Sequence, residues 1–231
     1  MRLRISIVLV VVGLLFAALM LTVIVPTNLI RLLVLAGCGL VAVGAGLFLQ
    51  HRRGRRFAVA IVAVAVVAVL LSPIRTDART LDAAMVKELG HFMNTPYVWG
   101  GESVDGIDCS GLPRAARRRA AVSLALGNAD PGLLRVAAAS WLVDTSASAM
   151  LDGNGTVVLA RAATIASLAP DARQPGTLIA TADGTHLMVM GDHRHVVEAD
   201  PALGRVVVLD IEDRASPWTS RAVVALRFKA P

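Results

Sequence analysis

The sequence predicts an α+β domain behind a set of N-terminal membrane helices, and three observations predict it. Residues 1–74 hold seven Arg and no Asp or Glu, while the other sixteen basic residues and all seventeen acids lie beyond them. Those same residues contain three long apolar runs. After them, apolar residues first recur at helical spacing and then, in the last third, fall in short Val-rich segments bounded by Gly, Asp and Pro. Helices first and antiparallel strands afterwards is the α+β order. The formal charge of +6 thus belongs to the apolar third. It is the pattern that orients a chain in a bilayer and gives no pointer to nucleic acid.

The apolar runs are Ile5–Val25, Leu32–Leu49 and Phe57–Leu71. A spanning helix needs about 20 apolar residues. Counting flanking residues, the expected spans are 5–25, 29–50 and 57–74, forming a membrane anchor over 1–74. Arg2 and Arg4 precede the first run, but no small-residue cleavage pattern follows it, so it reads as an uncleaved anchor. The loop "HRRGRR", His51–Arg56, is the most basic between the runs and is expected on the cytoplasmic side. The N-terminus is then cytoplasmic too, and everything after Ser72 is extracytoplasmic. A short linker at 75–80 leads into a domain over 81–231.

In that domain Leu81, Met85, Leu89 and Phe92 fall on one face of an expected amphipathic helix. "CSGLPRAARRRAAVSLAL" and "PGLLRVAAASWLVD" read as two more helices, and "LDGNGTVVLA" as a turn leading into a short apolar run. The strands expected next are "GTLIAT", "HLMVMG", "HVVEAD", "RVVVLDI" and "AVVALRF". The "DGT" before His186 and the "GDHR" after Met190 suit hairpin turns.

The chain has two Cys, one Tyr and three Trp. Cys109, Tyr97 and Trp99 all lie in "PYVWGGESVDGIDCSGL", a glycine-rich turn leading into a helix. With Cys38 far away in an apolar run, Cys109 is expected to be a free thiol. A helix N-terminus favours negative charge, and a His partner completes an activated thiol. The open backbone at Ser110 and Gly111 suits an oxyanion hole. Position alone leaves a second reading open, in which Cys109 is a small buried residue at a helix start.

The order of motifs is similar to that of the NlpC-type cell-wall cysteine peptidases, which have a minimal papain-like fold. "PYVWGG" and "GIDCSGL" match the nucleophile motif, "QPGTL" resembles the Pro-Gly-Asp-Leu strand start, and "DGTHLMVMGD" resembles the strand with the catalytic His. The resemblance covers roughly Leu81 to Phe228. It implies Cys109 as nucleophile, His186 as base and, at the third position, Glu198, where family members usually have His, Asn or Gln. It also implies Tyr97 beside the attacked carbonyl, with Asp108 and Ser110 as supporting residues in the substrate and oxyanion region. A carboxylate at 198 can orient an imidazole as acids do in other triads. His91 is expected on a helix surface and His193 and His195 in a turn. The absence of HExxH or a paired CxxC argues against a zinc site built from these His and Cys109.

The activity implied is hydrolysis of an amide in peptidoglycan stem peptides, free or lipid-linked, through an acyl-enzyme. It needs neither metal nor organic cofactor. A catalytically idle membrane-bound module of the same fold and a thiol acyltransferase are the alternatives. Three departures stand out. Pro113 is expected to make the helix start irregular, Thr177 replaces an acid expected at a surface or groove, and the segment from Pro131 to Met150 reads as an insertion.

Overall fold

The computed structural model describes residues 2–21, 23–49, 64–213 and 215–231. The chain divides into two compact units between Ser72 and Pro73.

In the first unit α1 (Arg2–Leu21) and α2 (Asn28–Leu49) pack against each other. Glycine makes this possible: a Cβ at Gly13 would stand 2.7 Å from the carbonyl oxygen of Gly37, and one at Gly44 would stand 2.9 Å from that of Ser6. Small residues at such contacts let helix backbones approach closely. Leu15, Leu29 and Leu32 point outward and are more than 60% exposed. Among the described residues one segment, Asn28–Gly46, is long and apolar enough to cross a membrane, while Ile5–Phe16 is apolar but shorter. Residues 64–71 are helical. The "HRRGRR" loop and residues 57–63, on which the expected orientation and third span depend, lie outside the described residues.

The second unit begins close to its first helix, α3 (Ala78–Leu89). Asp77 caps it, accepting from the Thr80 amide and hydroxyl at 2.9 Å each. Residues 78–80 therefore belong to the helix and not to a linker. What precedes them is tied down as well: the amides of Arg75 and Thr76 both donate to Asp130 Oδ2 at 2.9 Å. The expected linker at 75–80 is thus largely part of the domain, because buried Asp130 and the cap at Asp77 both need backbone N–H donors.

Next come a small hairpin, β1 (Glu102–Ser103) with β2 (Gly106–Ile107), and three helices, α4 (Gly111–Gly127), α5 (Leu133–Leu142) and α6 (Ala147–Leu151). The main sheet contains β3 (Thr156–Ala162), β4 (Leu178–Thr181), β5 (Leu187–Met190), β6 (His195–Asp200), β7 (Arg205–Asp210) and β8 (Val223–Phe228). Its order is β3-β8-β4-β5-β6-β7, with every pairing antiparallel. The domain is α+β, as expected. The five anticipated strands correspond to β4 to β8. The run after "LDGNG" is a full strand, β3, that pairs with the last one.

Alternation along the strands builds two cores. Leu178, Ala180, Leu187 and Val189 face one core with Leu81, Met85, Leu112 and Ala116 of the helices. Ile179, Met188, Met190 and Val196 face the other, with Ile165, Ile211 and Ala225. The sheet is thus covered on both faces, which explains why its central strands are continuously apolar.

Candidate active site

The turn before α4 is built from its own backbone. A Cβ at Gly111 would lie 2.2 Å from the Gly101 carbonyl oxygen, and one at Gly101 would lie 2.4 Å from that of Gly106. Neither position accepts a side chain. Asp108 locks the turn. Its Oδ1 accepts from the Ser110 amide at 2.9 Å, the Ser110 hydroxyl at 3.0 Å and the Gly111 amide at 2.6 Å, and its Oδ2 accepts from the Gly100 amide at 2.8 Å. This corrects one expectation: the Ser110 and Gly111 amides are taken by Asp108 and do not stand open for an oxyanion. Asp108 and Ser110 shape the turn.

Pro113 does not disturb the helix. It lies buried in the first turn of α4, and helical bonding is already established by the Leu112 amide donating to the Asp108 carbonyl at 3.0 Å. Proline is tolerated there because first-turn amides lack helical acceptors. Behind the turn, buried Arg114 bonds Ser110 O at 3.2 Å, Glu102 at 2.7 Å and Asp144 at 2.8 Å, and Arg118 reaches Glu102 at 3.1 Å. Arg114 and Arg118 of the "RAARRR" run therefore tie the turn to the β1–β2 hairpin. A hint lay in the spacing of Arg114 and Arg118, i and i+4 on one helix face.

Cys109 is a free, buried thiol. Burial pushes it up to about 11, and the neighbouring Asp108 carboxylate adds to this, while the amides of Leu187, Ser110 and Cys109 itself favour the thiolate. The Leu187 amide, next to His186 in the chain, is thus among the groups near the sulfur. Tyr97 lies close enough for Cys109 and Asp108 to add to the burial that pushes its hydroxyl up to about 12.

The base is held from several elements. The His186 amide donates to Thr181 Oγ1 at 3.0 Å, and the Thr181 amide to the His186 carbonyl at 3.0 Å, closing the β4–β5 turn. The β5–β6 register, Val189 opposite Val197 and Met190 opposite Val196, carries Glu198 toward the imidazole. His186 Nε2 and Glu198 Oε2 are 2.5 Å apart, with both side chains almost wholly buried. Burial raises the Glu198 carboxyl from its ordinary range, the bond to His186 and its charge oppose this, and Asp200 adds to it. Glu198 Oε1 has no hydrogen-bond partner among the described residues. The indole of Trp218 stacks on the imidazole, ring centroids 4.0 Å apart and planes at 20°. Neither Trp218 nor Thr181 stood out in the sequence, since both act through pairings that only the sheet creates.

His186 and Glu198 are therefore in direct contact. No hydrogen bond joins the thiol and the imidazole in this structure. His91 pairs with Glu88 at 3.4 Å, and His195 with Asp192 at 2.8 Å, each on the surface. Thr177, which stands where an acid was expected, is buried, and its hydroxyl has no partner among the described residues.

A match to the NlpC/P60 family spans residues 94–227, more than half of the chain and all of the site. The chain belongs to this family. Its NlpC/P60 domain is similar to the P60 domain of an antigen from M. avium subspecies paratuberculosis, at 21% identity over 63% of this chain and 94% of that one, with a TM-score of 0.39. It is also similar to the peptidoglycan hydrolase RipB from Mycobacterium tuberculosis, at 20% identity over 78% of this chain and 79% of that one, with a TM-score of 0.40. No curated protein matches the chain.

Proposed function

We propose that the protein is a cysteine peptidase or amidase, anchored by its N-terminal helices in the bacterial cytoplasmic membrane, that cleaves an amide in peptidoglycan stem peptides outside it. The observation that carries this reading is the buried contact of 2.5 Å between His186 and Glu198. Membership of the NlpC/P60 family supports the reaction class.

With Nε2 engaged by Glu198, Nδ1 is the ring nitrogen left to take a proton. The resting thiol is protonated, so it gives that proton to Nδ1 as substrate enters and the side chain turns from the amides to the imidazole. Cys109 then attacks the carbonyl. Its own N–H and the Tyr97 hydroxyl hold the developing oxyanion, and the imidazolium, stabilised by Glu198, protonates the leaving amine. A water activated by neutral His186 then hydrolyses the thioester and restores the thiol. Between residue 71 and Arg75, the first residue fastened to the domain, only residues 72–74 intervene, a reach of about 10 Å at roughly 3.3 Å per residue. That short tether favours stem peptides near the membrane, as in a lipid-linked precursor.

The test is a stem peptide incubated with the full chain in detergent and analysed by mass spectrometry. A new amine should appear, and Cys109→Ala and His186→Gln should each abolish it. If the parent and Cys109→Ala release the same products, or neither releases any, the hydrolase reading fails. A reporter fused at the C-terminus that is active only in the cytoplasm would overturn the topology. The burial that keeps the thiol protonated favours one alternative, an idle binding module of the same fold. A parent that binds the peptide without cleaving it is the outcome that alternative requires.

A further inference from the structure

We infer that Trp218 is a positioning residue for His186, and that the β7–β8 loop around it is a strap holding the base in place. The inference rests on the role of His186 proposed above and extends it to a segment that the nucleophile and base motifs do not include. The indole covers one face of the imidazole at 4.0 Å and a 20° interplanar angle. Its far partner is the Arg221 guanidinium, 4.9 Å from the Trp218 ring. Arg221 in turn bonds Asp183 Oδ2 at 3.2 Å, and Asp183 Oδ1 accepts from the Thr185 amide and hydroxyl in the turn just before His186. The Ala182 amide donates to the Ala222 carbonyl at 2.8 Å. The strap is therefore fastened to the His186 turn at its backbone, at a surface ion pair and at the ring stack.

The loop is also fastened to itself. The Thr219 hydroxyl donates to Asp213 O at 2.5 Å, and the Trp218 amide donates to Ser216 Oγ at 3.2 Å. The indole N–H has no acceptor among the described residues although it is buried. Hydrogen bonding therefore does not explain the ring's place, and stacking does. A flat ring against the imidazole restricts its rotation, keeps water from the His186–Glu198 bond and offers a π face that favours the imidazolium. The charged groups around the imidazole are Glu198 and Asp200 on β6, Asp183 and Arg221 beyond the stack, and Cys109 with Asp108 at the helix tip.

The test reads the stack without requiring turnover. In the full chain with Trp99→Phe and Trp141→Phe, Trp218 is the only indole and is excited selectively over Tyr97 at the red edge of its absorption, and an imidazolium stacked on indole quenches it. Fluorescence should rise with pH in a single step that His186→Gln removes. In a Cys38→Ser background, leaving Cys109 as the reacting thiol, Trp218→Ala should slow alkylation by iodoacetamide about tenfold, the order of a desolvated cation–π contact. Trp218→Phe should restore the rate to within about twofold. The inference is overturned if the fluorescence step is absent or survives His186→Gln, or if Trp218→Ala is alkylated like the parent. It is also overturned if Trp218→Phe is as slow as Trp218→Ala. An intact fluorescence step and alkylation pattern, with no peptide cleaved, would leave the stack standing and remove only the hydrolase reading.

Discussion

The two halves of the site are made differently. The nucleophile turn is local: Gly100, Gly101, Asp108, Ser110 and Gly111 lie within a dozen residues and satisfy one another's backbone groups. The surroundings of His186 are assembled from three places, the β4–β5 turn at Thr181 and His186, Glu198 on β6 and Trp218 on the β7–β8 loop. A local motif fails as a unit when one member is changed. An assembled one loses function member by member while the sheet beneath it survives.

The sharpest break falls on the assembled half. Glu198→Ala should lower kcat/KM about 10⁴-fold, the order lost when the orienting carboxylate of a triad is replaced, with the fold retained because β6 keeps its ladder. Glu198→Gln still accepts from Nε2 and should cost only about tenfold. A loss of folding in Glu198→Ala, seen by circular dichroism, would show that the base is structural first. On the local half Asp108→Ala should cost about 2–4 kcal/mol of stability by stranding several buried donors, and should remove activity along with the fold. Normal stability in denaturant titration would overturn the unit argument.

Gly111→Ala tests the same half more gently. The added methyl has no room beside the Gly101 carbonyl, and overpacking of this kind costs about 1–3 kcal/mol. The smallest effect concerns Asp82, a control remote from both halves. It pairs with Arg117 at 3.4 Å and Arg227 at 3.6 Å. Burial nevertheless raises its carboxyl to about 6, against the pull of both arginines. Because the folded value lies above the unfolded one, the native state holds the proton longer. Stability should therefore fall as pH rises from about 4 to about 6 and then level off. Asp82→Asn should flatten that slope in Tm measured against pH, and an unchanged slope would place its source elsewhere.

The same contrast decides what could be read in advance. Cys109 with its glycines and the five Val-rich strands were legible, because turn chemistry and alternation are local signals. His186 and Glu198 were named through a family resemblance, and their separation of twelve residues matches one hairpin repeat. Trp218 was invisible, since a Trp in "SPWTS" gives no sign of the ring it will meet. Glu102 was overlooked for the same reason, its partners Arg114 and Arg118 lying on a helix. The pairing of β3 with β8 joins segments separated by most of the sheet. Pro113 misled because its cost depends on where the helix starts, which Asp108 decides.

By itself, the sequence determined the α+β order of elements, the apolar N-terminal third and the glycine-rich turn that carries Cys109, all properties of neighbouring residues and their periodicity. Tertiary structure alone decided that Glu198 meets Nε2 and that an indole covers the imidazole. Those contacts follow from strand register and burial. Both are settled by packing the whole sheet between two cores, and no short window of residues contains that information.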